Sequence, residues 1–195
     1  MTQQRAVRTR ADLLTGAATE FARYGYAASS ITRILDNTAC SKGAMYFHFA
    51  SEAVLDTAAD VYTSIAKRWT TTDGAHPLDA IRGLVDDAAQ AFDDDVSLRA
   101  EARLSVEPDF SARRPSAAWD AAVFGLVRRA AESGSLREGF TAEKFVRVLA
   151  ASLAGHRLLA HIVPTGLAVS IRSGYRESLE TVLAAATNAK IAAVG

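Results

Sequence analysis

Ser29-Ser30-Ile31-Thr32-Arg33-Ile34-Leu35-Asp36-Asn37-Thr38-Ala39-Cys40-Ser41-Lys42-Gly43-Ala44-Met45-Tyr46-Phe47-His48-Phe49 holds two short helical patterns with only a few residues between them. Ser30 can cap the first, with Ile31, Ile34 and Leu35 facing inward. Ser41 can cap the second, which opens on Ser41-Lys42-Gly43-Ala44 and closes on Tyr46-Phe47-His48-Phe49. Two short helices joined this tightly form a helix-turn-helix. Small residues followed by basic and hydroxyl-bearing ones suit a helix that presses its first turn into a DNA major groove.

Outward from this stretch the chain reads as helices divided by short punctuation. Alanine is abundant, and apolar–polar alternation of period 2 is missing over any useful length. A first helix runs from about Arg8 to Tyr24 with Leu14, Ala17, Ala18, Phe21 and Ala22 at helical spacing, and Gly25 stands where a helix commonly ends. Ser51 is a candidate cap for a fourth helix reaching Thr70, and Thr70 to Pro77 is a loop. Further helices are expected near Leu78–Asp93, Ser97–Val106, Ser116–Ser133, from Thr141 to about Val163, and from about Leu167 to Asn188, for nine in all. The fold class is all-α, with no internal repeat.

Bulk properties bound the function. The formal net charge is zero, but residues 1–50 carry Arg5, Arg8, Arg10, Arg23, Arg33 and Lys42 against Asp12, Glu20 and Asp36. A basic head on an acidic body points the head toward a polyanion. The single cysteine, Cys40, excludes an intramolecular disulfide and a cysteine-based zinc site. The N-terminus has no apolar run behind its charges, and no stretch of about 18 uninterrupted apolar residues exists. A cytoplasmic protein without a membrane partner is expected. Paired carboxylates, a nucleophile–base arrangement and a phosphate-binding glycine loop are all missing. Neither an enzyme nor a cofactor or metal is therefore expected.

Candidate residues fall into three groups. Ser30, Thr32 and Arg33 on the first short helix, with Ser41, Lys42, Tyr46 and His48 on the second, can reach phosphates or base edges, while Gly43 and Ala44 permit close backbone approach. Phe47 fits two roles, contact with a thymine methyl or core packing, and His48 also fits a locally satisfied buried histidine. In the rest of the chain Phe145, Leu149, Ser152, His156 and Leu159 share a helical stripe. With Phe92, Trp119 and Val123 from other helices, they compose either a mostly apolar small-molecule pocket or ordinary core. Ile171, Tyr175, Leu179 and Val182 form an apolar stripe on the last helix, and small residues there and on the preceding helix allow close approach. A bundle between two copies of the chain is the expected use.

Gly25-Tyr26, Ser30-Ile31, Ile34 and Ser41-Lys42-Gly43-Ala44-Met45-Tyr46-Phe47-His48-Phe49 resemble the TetR family of bacterial one-component repressors, whose usual text at the last stretch is close to S-K-G-A-L-Y-x-H-F. Tyr46 to Ala50, the Pro/Arg-rich loop from Glu107 to Pro115, Trp119 and Ser152-Leu153-Ala154-Gly155 are similar to the γ-butyrolactone receptors of actinomycetes, in which a tryptophan at the position of Trp119 lines the ligand pocket. The resemblance implies a helix-turn-helix DNA-binding domain over residues 1–50 and a helical ligand-binding and dimerisation domain over residues 51–195. It further implies a homodimeric repressor that a small, mostly apolar effector, such as a γ-butyrolactone-like signal, releases from a palindromic double-stranded operator. Two alternatives are a regulator of efflux or catabolic genes with another hydrophobic effector, and a ligand-binding helical protein with weakened DNA contact. Two positions depart from the family: Ala39 stands where glycine is usual, and Glu52-Ala53 where lysine and then glutamate are usual. Glu52 is expected to face a phosphate and repel it.

Overall fold

The computed structural model describes residues 2–36, 47–71, 74–110, 112–162 and 170–187. Among them are eight α-helices: α1 (Thr2–Tyr24), α2 (Ile31–Asp36), α3 (Phe47–Thr70), α4 (Pro77–Asp94), α5 (Val96–Leu104), α6 (Ala117–Glu132), α7 (Ala142–Ile162) and α8 (Ile171–Ala186). A single 3-10 turn, Pro108–Phe110, follows α5. The only extended pairing among the described residues is an isolated antiparallel bridge between Leu136 and Thr187. The all-α expectation holds.

Local chemistry accounts for most helix ends. Gly25 closes α1 at φ +73°, a left-handed conformation in which a side chain is strained, and its N–H still donates to the Phe21 carbonyl at 2.9 Å. Asp95 caps α5, because its carboxylate accepts the Ser97 N–H at 2.8 Å, so that helix begins at Val96. Ser170 caps α8 by accepting the Ser173 N–H at 3.2 Å, so that helix begins at Ile171 and not near Leu167. The expected break at Ser51 does not exist. Phe47 to Thr70 is one helix, and Ser51 is fully buried within it. No glycine or proline lies between Phe47 and Thr70, so nothing in the chain interrupts the hydrogen-bond ladder there. The expected third helix begins at Ser41, outside the described residues.

The chain forms two compact units. One takes Met1–Val61 and Asp94–Pro115, the other Tyr62–Asp93 and Ser116–Gly195. This differs from a boundary at residue 50. The reason is the apolar face of the N-terminal helices, which α5 and the following turn complete. Ala17, Ala18, Phe21, Ile34, Ala50, Val54 and Leu55 are buried in one cluster with Ala100, Leu104 and Phe110. Residues 94–115 are thus an excursion of the second unit's chain into the first. The second unit has its own core, in which Leu78, Ile81, Leu84, Val85, Leu126, Phe145 and Leu149 are almost wholly buried. Within it α7 packs against α6 and α8.

Candidate DNA interface and ligand cavity

The first unit fixes α2 through a buried carboxylate. Glu20, only 5% exposed, accepts the Ser30 N–H at 3.0 Å and Arg33 Nε at 2.6 Å. An anion at the start of α2 also suits the helix dipole. Arg33 donates from Nη2 to the Ala28 carbonyl at 2.6 Å and lies over the Tyr24 ring, 4.5 Å from its centroid. Sequence reasoning offered Arg33 to DNA phosphates. In the structure its Nε and Nη2 build the corner between α1 and α2, although the side chain remains 44% exposed. Ile31 and Thr32 are exposed on α2, while Ile34 and Leu35 are buried beneath them, so the helix presents an open outer face. Ser41, Lys42, Gly43, Ala44 and Tyr46 lie outside the described residues. Phe47 and His48 start α3, and their side chains are likewise outside them.

Glu52 has a partner that sequence reasoning missed. Its Oε1 accepts from Arg113 Nη2 at 2.5 Å, and both side chains are partly exposed. Glu52 is five positions after the start of α3, so the loop after α5 brings a guanidinium to the first turns of that helix. A charge-assisted bond of this kind offsets the carboxylate locally, which changes the simple picture of a bare anion facing DNA.

The second unit holds a cavity of about 190 Å³ lined by Tyr62, Ala88, Ser116, Trp119, Asp120, Ala150, Leu153, Ala154, Arg157 and Tyr175. Trp119, for which the resemblance implies a place in the ligand pocket, lines this cavity. It is mostly buried, and its Nε1 donates to the Leu84 carbonyl at 3.3 Å, which holds the indole plane in the wall. Ser116, which precedes α6, donates from Oγ to Asp120 Oδ2 in the first turn of that helix at 3.1 Å. The lining mixes an apolar wall with two phenols, a carboxylate and a guanidinium, which suits a small molecule carrying a few hydrogen-bonding groups.

The remaining pocket candidates belong elsewhere. Phe92, Val123 and Leu149 are core side chains, all buried. Ser152 exchanges a hydrogen bond with Ser178 at 2.7 Å, and the His156 ring packs so closely over Gly174 that a Cβ there would overlap it. Both residues join α7 to α8. Ala150, Leu153, Ala154 and Arg157 are the α7 residues that do line the cavity. Each expected α7 position is displaced by about one residue from a lining one, a rotation of about 100° around the helix. Arg157 was the readable signal, a guanidinium one turn after Leu153 and the one fixed charge in the run Leu153–Ile162.

The proposed interface stripe also needs correction. Ile171, Tyr175, Leu179 and Val182 are 6%, 5%, 4% and 4% exposed within a single chain, and Tyr175 lines the cavity. They face inward because α7 covers them. The open apolar side chains of this region are on α7 itself: Val148, Leu158 and Leu159 are 44%, 41% and 44% exposed. With Ala151 and Gly155 they share one helical face, opposite neither the cavity nor α8 alone.

Residues 13–56 match the family profile described as "Bacterial regulatory proteins, tetR family". The chain is 31% identical over 163 residues to the A-factor receptor protein of Streptomyces griseus, an alignment that takes in 81% of this chain and 57% of the receptor. The chain thus spans under two thirds of that relative's length. Among solved structures it resembles TylP, a TetR regulator from Streptomyces fradiae, at 26% identity and a TM-score of 0.64 over 96% of this chain and 90% of that one. It also shares its fold with a γ-butyrolactone receptor described as ArpA-like, at 24% identity and a TM-score of 0.67 over 92% and 97% of the two chains.

Proposed function

We propose that the chain is a TetR-type ligand-responsive repressor acting as a homodimer in the cytoplasm, a reading supported by the profile match and the likeness to the A-factor receptor protein. Each copy places its helix-turn-helix at one half-site of a palindromic operator. A small molecule in the cavity favours a form in which the two reading helices no longer match the half-sites, and the operator is released by a population shift. One observation carries this reading: residues 13–56 match the tetR family profile, and the other compact unit of the same chain holds a cavity walled by Trp119. No described helix is long and apolar enough to cross a membrane. Likeness to a protein named for A-factor and to a γ-butyrolactone receptor favours a lactone-type effector, and Asp120 and Arg157 suit its carbonyl and hydroxyl groups.

Tryptophan emission tests the effector. Trp119 is in the cavity wall, and Trp69, whose Nε1 donates to Asp87 Oδ2 at 2.8 Å, is the internal reference. A panel of γ-butyrolactones and furans should contain a member that changes the emission and displaces operator DNA. Trp119→Phe should keep the melting temperature and DNA affinity close to wild type while weakening that displacement. If no member does either, the lactone assignment is wrong and the broader repressor reading stands on DNA binding alone.

The charge at residue 52 provides a second test. Glu52→Lys removes the acceptor of Arg113 and puts a second cation beside it. DNA affinity at low salt should rise for operator and scrambled duplex alike, because phosphate contacts carry no base information. The salt slope should steepen by about 0.9 for each phosphate gained. Unchanged affinity in a fluorescence-anisotropy titration would mean that this end of α3 does not face the duplex.

A further inference from the structure

We propose that Glu107 is a positioning residue for operator binding, holding the turn between α1 and α2 to a strap whose far end enters the cavity wall. The inference rests on the DNA-binding reading above. The turn 25–28 follows α1 and leads directly into the helix-turn-helix. Its backbone would leave N–H groups unsatisfied, since α1 has ended and α2 has not begun. Glu107 supplies what is missing: Oε1 accepts the Tyr26 N–H at 2.6 Å and Oε2 accepts the Ala27 N–H at 3.3 Å. The residues are about 80 positions apart in sequence, so this is a tertiary clasp and not a local cap.

The turn is shaped to receive that carboxylate. Gly25 has φ +73°, and a Cβ on it would overlap Glu107 Oε1. Glycine is thus required twice over, by conformation and by approach. Arg103, one turn before Glu107, flanks the same glycine. Phe110 stacks edge-on against Tyr26, with ring centroids 4.9 Å apart at 70°, and is buried in the core of the first unit. Three residues later Arg113 donates to Glu52 on α3. The segment 103–113 therefore grips both the entry to the helix-turn-helix and the helix that leaves it.

The other end of the segment gives the clasp its meaning. Three residues after Arg113 comes Ser116, which lines the cavity and bonds Asp120. Along the chain the short 3-10 turn Pro108–Phe110 is the one regular element between Glu107 and Ser116 among the described residues. The chain that carries the clasp thus continues, nine residues after Glu107, into the residues that line the cavity.

The test uses the full chain, DNA from its own upstream region, and amide hydrogen exchange. Glu107→Ala should speed exchange at Tyr26 and Ala27 at least tenfold and weaken operator binding at least tenfold, with exchange in α4, α7 and α8 unchanged. Glu107→Gln retains one carbonyl oxygen and should accept one N–H, so its loss should lie between wild type and alanine at an unchanged melting temperature. That graded response separates positioning from general destabilisation. Operator affinity within twofold of wild type in both variants would overturn the proposal, as would unchanged exchange at Tyr26 and Ala27. If the wild type binds no upstream DNA, the functional reading fails instead, and the exchange rates still decide whether the clasp exists. Should the alanine variant fail to fold, the glutamine variant carries both measurements.

Discussion

Lys42→Ala is expected to weaken operator binding by about 1–3 kcal/mol, and Lys42→Ala/Tyr46→Ala to reduce it toward non-specific affinity. Lys42 stands behind Ser41 at the start of the second short helical pattern, where a side chain can reach guanine O6 and N7 or a phosphate. The two uses differ in signature. A base contact costs affinity and relaxes preference at one operator position. A phosphate contact costs affinity evenly across sequences and lowers the salt slope by about 0.9. Titrations of operator and single-base operator variants at several salt concentrations separate them. Wild-type-like binding by the double variant would remove the helix-turn-helix assignment. Ser30 gives its N–H to Glu20, and Arg33 is already engaged with Glu20, Ala28 and Tyr24.

Local rules read this chain well wherever the deciding interaction is local. Gly25 ends α1, and Ile34 and Leu35 turn inward on α2, because backbone conformation and 3.6-residue periodicity are written within a few neighbouring residues. Ser51 shows the limit of such signals. A serine before an acidic residue looks like a cap, but the apolar neighbours Ala50, Val54 and Leu55 bury the position and the helix runs through it. Tertiary burial overrides the local preference there. The return of residues 94–115 to the first unit left no periodic mark of its own, since α4, α5 and α6 are all amphipathic. The contacts that define it, Glu107 to the α1–α2 turn and Arg113 to Glu52, join positions about 80 and 61 residues apart.

The cavity was half legible for a different reason. Trp119 came from resemblance, whereas the α7 candidates came from one helical stripe that mixes apolar residues with Ser152 and His156. Phe145 and Leu149 of that stripe meet the core, and Ser152 and His156 meet α8. A ligand-binding face needs some polar groups and open space, and so looks less hydrophobic than the core beside it. Ala150, Ala154 and Arg157 fit that description, with small side chains leaving volume and one charged group at its edge.

The same confusion of faces decides the last prediction, which concerns assembly. A stripe that is apolar in sequence can be spent inside one chain or between two. Leu179 is 4% exposed within the single chain, while Leu158 is 41% exposed on the open face of α7 with Val148, Ala151, Gly155 and Leu159. Aspartate at these two positions should therefore fail in different ways. In Leu179→Asp the charge enters the core of one chain unpaired, a change expected to cost about 3–5 kcal/mol and to lower the melting temperature sharply, whatever the state of assembly. In Leu158→Asp the charge is solvated in the monomer and desolvated only when two α7 faces meet. The folded monomer should survive with its helicity intact, sedimentation should shift from dimer to monomer, and operator binding should fall by more than a hundredfold because two half-sites are no longer read together. A Leu158→Asp protein that sediments as a dimer and binds operator normally would place the interface elsewhere. A wild-type monomer at micromolar concentration would remove the two-half-site mechanism itself.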